Sequence, residues 1–260
     1  MPDLVLRKDH DTVACLTLNA AGSLNALSRA MLIDLLAALS ALAADDCVRV
    51  VILRAEGRAF SAGHDLKEIQ ASRSAADGGR DEITSLFALC SQVMQALVAL
   101  PQPVIASVQG VATAAGCQLA CSCDLIIASE TARFGVNGIN LGLFCSTPAV
   151  ALSRRIAPSH AFELLTTGEF LSAPRAHAIG LVNRLALPDA LVDDTLTLAR
   201  QIAAKDPVVI RLGKAAFRAQ MGLPLNDAYK VAGLAMVENA LRPDTEAGIQ
   251  AFIDRRPKHS

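Results

Sequence analysis

The chain has 260 residues, of which 52% are hydrophobic, 19% charged and 3% aromatic, with no Trp and a net charge of −1. This is ample material for one large domain, or a main domain with an appendage, and it excludes a disordered chain. A near-neutral, aromatic-poor sequence also lacks the footprint of a nucleic-acid binder.

Residues 1–10 have no basic segment ahead of an apolar one and read as neither a signal nor a transit peptide. The longest apolar run, residues 31–44, is interrupted by Asp34 and is too short to span a bilayer, so no membrane association is expected. Seven cysteines, an odd count without a secretory signal, point to reduced thiols and a cytoplasmic protein.

Residues 4–6 and 13–18 read as two strands joined by a polar turn over 8–12. After a loop at 19–25, Ser28 caps a helix to about Ala44, with Met31, Leu32, Leu35, Leu36, Leu39 and Leu42 at helical spacing. Residues 48–53 form an apolar strand, and the strand–helix–strand order predicts a parallel pairing. A strand end, a small-residue bend and a helix start follow over 57–69. The polar, Gly-rich segment 71–82 is expected to be a mobile surface loop. An apolar helix over 83–100 is stopped by Pro101 and Pro103.

Residues 104–108 are a β-branched strand ended by Gln109 and Gly110. Ala112, Ala114, Ala115 and Gly116 make a thin bend, and 116–123 continue as a short helix. A strand at 125–128 and an extended piece at 131–135 precede the irregular segment 136–148. Helices near 149–156, 160–167 and 173–179 and a last strand at 181–185 come next. Beyond Pro188 the pattern is helical, near 190–204, 207–221, 225–241 and 244–254. That change divides an αβ core, 1–187, from a helical lobe, 188–260.

Common nucleotide and hydrolase motifs are absent: Gly213-Lys214 lacks the upstream glycine and the Ser/Thr of a phosphate loop, and there is no G-x-S-x-G or H-E-x-x-H. Cys117, Cys121 and Cys123 do not have a usual zinc spacing, and no metal site is expected. What remains is a pair of similar bends, Ser61 to Asp65 and Ala112 to Gln118, each following a strand and opening a helix. Side by side, they would aim the N–H groups of His64 and Ala115 at one oxygen, an arrangement suited to an enolate or tetrahedral oxyanion. The plain alternative for either bend is a tight strand-to-helix connection that binds nothing.

The run from Arg58 to Glu68 resembles the signature of the enoyl-CoA hydratase/isomerase (crotonase) superfamily. Pro103 to Asp124, Phe134-Gly135, Asn140-Leu141-Gly142, Leu165 to Glu169 and Ala176 to Val182 are similar to its further motifs, in order along nearly the whole chain. The resemblance implies an α/β crotonase (ClpP/crotonase-like) spiral of ββα repeats with a C-terminal helical lobe, assembled as a homotrimer or a dimer of trimers. It implies an acyl-CoA thioester ligand, coenzyme A being part of the substrate and no separate cofactor being needed. The thioester carbonyl would sit between the N–H groups of His64 and Ala115. Ala62, His64, Asp65 and Leu66, with Lys67 beside them, would line the adenine end. Asn137 and Cys145 would border the acyl pocket, and Phe252 and Lys258 fall where the family's last helix reaches the CoA.

The sequence departs from the hydratase pattern at the two family glutamates, whose positions hold Gln118 and Gly138. An amide orients a water but does not take its proton, and glycine offers nothing. The expected reading is therefore an acyl-CoA-binding enzyme of the hydratase type with an oxyanion hole and weak hydration. Restoring both glutamates should raise hydration if the rest of the pocket is intact. Two alternatives stand beside it: a decarboxylase of a malonyl-type thioester, which needs no base, and an acyl-CoA-binding protein without turnover. Cys145 is a candidate nucleophile with no basic partner in the sequence. Asp65, Glu68 and Asp124 read as structural.

Overall fold

The computed structural model describes residues 3–254. Strands β1 (Val5–His10) and β2 (Val13–Leu18) form an antiparallel hairpin turned at Asp11, whose φ is 54°. Much of the turn expected over 8–12 is strand. Lys8 to His10 are polar because β1 is an edge strand facing water, not because the chain reverses there. Helix α1 (Arg29–Ala43) is capped by Ser28, whose Oγ accepts the Met31 N–H at 3.2 Å, and it buries Met31, Leu32, Leu35, Leu39 and Leu42. Strand β3 (Val50–Ala55) then pairs parallel to β2.

Next come β4 (Ala59–Ser61), α2 (Leu66–Ser72) and α3 (Arg80–Ala99). Segment 71–82, read as a mobile loop, holds the end of α2, a run of turns and the first turn of α3. The Asp77 carboxylate organises it, accepting the N–H groups of Gly79 at 2.9 Å and Asp81 at 2.8 Å. By length and composition α3 is apolar enough to cross a membrane, which the 31–44 run is not. Leu86, Cys90, Val93, Met94 and Leu97 form a buried stripe on α3, which packs against α1 as a core helix.

The chain continues through β5 (Val104–Val108), β6 (Val111–Thr113), α4 (Ala115–Ser122), β7 (Leu125–Ser129) and β8 (Arg133–Gly135). A 3-10 turn at Asn137–Leu141 leads to α5 (Ser146–Leu152) and α6 (Pro158–Thr167). Then come β9 (Phe170–Ser172), α7 (Ala173–Ala178), β10 (Arg184–Ala186) and α8 (Leu191–Ala203).

Among the described residues the strands form a six-stranded sheet, β1-β2-β3-β5-β7-β10, and a four-stranded one, β4-β6-β8-β9. Apart from the edge strands β1 and β9, neighbours run parallel. Three circuits repeat one plan: a long strand in the large sheet, a corner, a short strand in the small sheet, then a helix or helical turn. This is the expected ββα spiral. The corners stack directly. Gln109 Nε2 donates to the carbonyls of Ala55 and Gly57 at 3.0 Å and of Ala59 at 3.1 Å, tying the second corner to the first. A Cβ at Gly110 would lie 2.1 Å from Arg58 O, so only glycine turns this corner.

Alternation along the strands feeds two faces of the large sheet. Ala14, Leu16, Leu18, Val51, Leu53, Val104 and Ala106 join the core with α1 and α3. Val13, Cys15, Val50, Ile52, Ile105 and Ile127 join Leu191, Leu198, Ala199 and Ala203 of α8. Burial on that second face places α8 in the first compact unit, which runs to Ala204, while the second begins at Lys205. The boundary expected at 187/188 therefore falls at 204/205: composition turns helical at 188, but α8 still closes the sheet. In the second unit, α9 (Pro207–Gln220) packs against α10 (Leu225–Ala240), followed by α11 (Pro243–Asp254). None of these helices contains a buried residue.

Candidate active site

The first bend joins β4 to α2 and is built on Asn25, which is fully buried with φ 50°. Its Nδ2 donates to the carbonyls of Glu56 and Ala59, both at 2.8 Å, and its Oδ1 accepts the Ala20 N–H at 2.9 Å. Ser61 Oγ donates to Asn25 O at 2.8 Å, and the Leu27 N–H donates to Gly63 O at 2.7 Å. These bonds hold the bend before any ligand arrives. Asp65 caps α2, its Oδ1 accepting the Lys67 N–H at 2.8 Å, and Glu68 Oε2 accepts the Arg29 N–H at 2.9 Å. Both carboxylates are thus occupied with helix N-termini. Asp124 Oδ2 accepts the Val104 N–H at 2.8 Å, tying β7 to β5.

The second bend joins β6 to α4 through Ala114, whose φ of 49° and ψ of −121° are strained for a residue with a Cβ. The two bends abut. A Cβ on Gly116 would lie 2.3 Å from Ser61 O, and one on Gly63 would lie 3.1 Å from the Ala115 nitrogen. Both positions require glycine for this approach. Among the described residues, neither the His64 N–H nor the Ala115 N–H donates to a protein acceptor. Two spare backbone donors therefore stand on adjoining turns, one of them in the first turn of α4.

These bends form part of the wall of a cavity of about 420 Å³. Of the residues singled out from sequence, Ala62, His64, Leu66, Ala115, Asn137, Gly138 and Cys145 line it, and Phe87, Thr113 and Ala114 join them. Among the described lining residues there is no Lys, Arg, Asp or Glu. The His64 ring meets Phe87 edge to face at 5.1 Å, and its Nδ1 lies 3.3 Å from Leu27 O. A carbonyl only accepts, so Nδ1 carries the proton and Nε2 is left buried without a partner. Burial lowers the His64 pKa against a smaller opposing effect of the Leu27 carbonyl, so the ring is neutral.

Gly138 is occupied space rather than an empty slot. A Cβ there would lie 2.5 Å from Leu143 O and 2.8 Å from Cys145 Sγ. Burial pushes the Cys145 thiol up, and the Gly138 N–H bonded to sulfur only partly opposes this. The residue is a neutral space-filling thiol and does not have the character of an activated nucleophile.

Three of the expected site residues in the first unit do not line the cavity. Gln118 is buried in α4 with an unpartnered Oε1, but it does not line the cavity. Asp65 and Lys67 also lie outside the lining. Phe252 is on α11 in the second unit, and Lys258 falls outside the described residues. Among the described residues no group of three or more His, Cys, Asp or Glu is placed to hold a metal ion. Asn25 and Phe87 carried no sequence signal, since one sits in a loop and the other on a long apolar helix. Ala114 was legible as part of a small-residue bend but not as a strained one.

A ββα spiral whose first two circuits end in abutting bends over an apolar cavity defines a crotonase fold. The chain belongs to the enoyl-CoA hydratase/isomerase family, whose model matches residues 8–259. It is 41% identical over 255 residues to the mitochondrial enoyl-CoA hydratase domain-containing protein 3 of Rattus norvegicus, covering 98% of this chain and 83% of that protein. The crystal structure of an enoyl-CoA hydratase from Mycobacterium smegmatis superposes with a TM-score of 0.92 at 48% identity, covering 97% of both chains. That of human enoyl-CoA hydratase domain-containing protein 3 gives 0.91 at 40% identity, covering 98% of both. Within the family the chain is similar to this domain-containing protein 3 branch.

Proposed function

We propose that this chain binds an acyl-CoA thioester and stabilises its enolate, with the carbonyl oxygen held between the N–H groups of His64 and Ala115. The observation that carries this reading is the pair of spare donors on abutting bends beside the cavity. One preorganised donor of this kind is worth roughly 3–4 kcal/mol of transition-state stabilisation. Ala62, His64, Asp65 and Leu66, with Lys67 beside them, line the adenine end of the CoA in this reading. Coenzyme A is part of the substrate, and no further cofactor is invoked.

Hydration by the two-glutamate route is slow in this reading. Gln118 has no acid–base function, and the place of a side chain at Gly138 is taken by Leu143 O and Cys145 Sγ. Each general acid or base normally supplies roughly 10²–10⁴ in rate. A malonyl-type decarboxylase needs no base, but its substrate carboxylate would find no cation in the described lining, and an unpaired charge is costly in such a wall. The test is calorimetric titration with butyryl-CoA, alongside turnover of crotonyl-CoA and methylmalonyl-CoA. Binding with slow hydration is expected. Hydration at the rate of two-glutamate enzymes, or no binding, would overturn the reading. Release of carbon dioxide would select the decarboxylase, and binding with no turnover of any ester the non-catalytic alternative.

For assembly we propose a homotrimer or dimer of trimers. Leu225, Tyr229, Leu234 and Leu241 on and just after α10 are each more than 70% exposed, the first two on one face of the helix and the last two on the opposite face, apolar exposure suited to burial against further copies of the chain. Light scattering that returned a monomer would remove this proposal. The seven free thiols suit a reducing compartment, and we propose the cytoplasm. The word mitochondrial belongs to the names of the vertebrate relatives.

A further inference from the structure

The N–H of His64 belongs to the peptide that joins Gly63 to His64. That peptide is planar and trans, so its C=O and its N–H point in opposite directions. The Leu27 N–H donates to Gly63 O at 2.7 Å, and Leu27 and His64 form an isolated parallel bridge. The His64 N–H is thereby aimed away from Leu27. Leu27 is fully buried and directly precedes Ser28, the cap of α1, which makes it a firm anchor.

One hydrogen bond holds the oxygen of this peptide but leaves its plane able to swing. Gly63, at φ 87°, resists such a swing little on its side. On the other side the His64 ring turns back on Leu27. Its Nδ1–H donates to Leu27 O at 3.3 Å, and the ring meets Phe87 of α3 edge to face. Leu27 thus grips the bend twice, by its N–H on the main chain and by its carbonyl on the ring. The Ala115 N–H has a different support. It sits in the first turn of α4, where the Gln118 N–H donates to Ala114 O at 3.1 Å and fixes the frame.

We propose that the His64 side chain is a positioning residue for its own backbone N–H. The ring, closed onto Leu27 O, holds the Gly63–His64 peptide in the orientation that serves a thioester oxygen. This deepens the thioester reading above and rests on it. The ring transfers no proton, and its Nε2 is buried without a partner among the described residues.

The test is calorimetry on the full chain with butyryl-CoA and with S-butyl-CoA, a thioether that lacks the carbonyl. Wild type should bind the thioester about tenfold more tightly. His64→Leu, which fills similar space without a donor, should cut that margin to about twofold or less. His64→Asn, whose amide places an N–H close to the position of Nδ1, should recover part of it. The margin is a ratio of two affinities in one protein, so a general loss of packing lowers both and leaves the ratio in place. The carbonyl stretch of bound, isotope-labelled butyryl-CoA should follow the margin, lying closer to its position in water for His64→Leu than for wild type. If His64→Leu does not fold, His64→Gln, whose amide reaches past Leu27 O, replaces it with the same expectation. A margin that survives loss of the ring donor, or equal margins in His64→Leu and His64→Asn, would overturn the proposal and leave the thioester reading in place. No margin in wild type, or no binding of butyryl-CoA, would overturn both.

Discussion

Replacing Gly138 tests whether this pocket is a hydratase site awaiting its glutamates or one rebuilt without them. The smallest probe is Gly138→Ala. Its Cβ would lie 2.5 Å from Leu143 O and 2.8 Å from Cys145 Sγ, both inside ordinary contact. The carbonyl is not free to retreat, since the Leu143 N–H is bonded back to Gly138 O at 3.0 Å. Overpacking of this kind costs about 1–3 kcal/mol. For a domain of this size that lowers Tm by roughly 2–12 °C. Gly138→Glu carries the same clash with a longer, charged side chain. The double variant Gln118→Glu/Gly138→Glu should therefore lose stability and gain no crotonyl-CoA hydration, the outcome that the sequence reserves for a reshaped pocket. Adding Cys145→Ala removes the contact with sulfur but not the one with the carbonyl, so rescue of Tm should be partial. Thermal melts and loss of enoyl-thioester absorbance read both effects. Gly138→Ala as stable as wild type, or a rise in hydration of about 10² in the double variant, would refute the reasoning.

Asn25→Ala removes three side-chain hydrogen bonds at a buried position with φ 50°, and denaturant unfolding should show a loss of about 3–5 kcal/mol; a loss under about 1 kcal/mol would mean that the first bend is held by other bonds. Ala114→Gly relieves a strained φ of 49° at some cost in chain entropy, so stability should rise by about 1 kcal/mol while acyl-CoA affinity does not improve; a destabilised variant would count against the strain. The folded pKa of His64 lies below its ordinary value of 6.5, because burial opposes the charged ring. Below that value the unfolded chain takes up a proton that folded His64 refuses, so stability falls with decreasing pH. Between about pH 7 and pH 5 wild type should lose more stability than His64→Gln, and equal losses would place the effect on other groups.

The sequence is most readable where local chemistry and tertiary structure agree. Ser28 caps α1, and the helices of the second unit fall within a few residues of their expected bounds, because caps and prolines act locally. The small sheet is not readable as such: Ala59–Ser61, Val111–Thr113 and Phe170–Ser172 have three residues each, too few for a period, and become strands only through their neighbours. The 71–82 segment misleads because Gly78 and Gly79 suggest mobility, while Asp77 supplies the order. At the site, the two bends are plain from Gly63, Gly116 and the alanines around them. The filling of the Gly138 slot by Cys145 is not, since it depends on a turn seven residues away in sequence and in contact in space.

The spiral deals the site out by circuit. The first contributes His64, the second Ala115, and the third, through residues 136–148, Asn137, Gly138 and Cys145. The donors proposed for the thioester oxygen are thus backbone groups of two circuits, insensitive to side-chain identity wherever the bend geometry survives. The side chains proposed to border the acyl group, Asn137 and Cys145, sit on the third, a loop-rich insert between β8 and α6. Such an arrangement is modular for evolution: exchange of one short insert replaces the group at position 138 while the two bends, and position 118 on α4, are inherited unchanged. It also gives protein engineering a route, since grafting residues 136–148 from a two-glutamate relative moves the glutamate, its turn and its clearance together, where point substitution at Gly138 meets the Leu143 carbonyl.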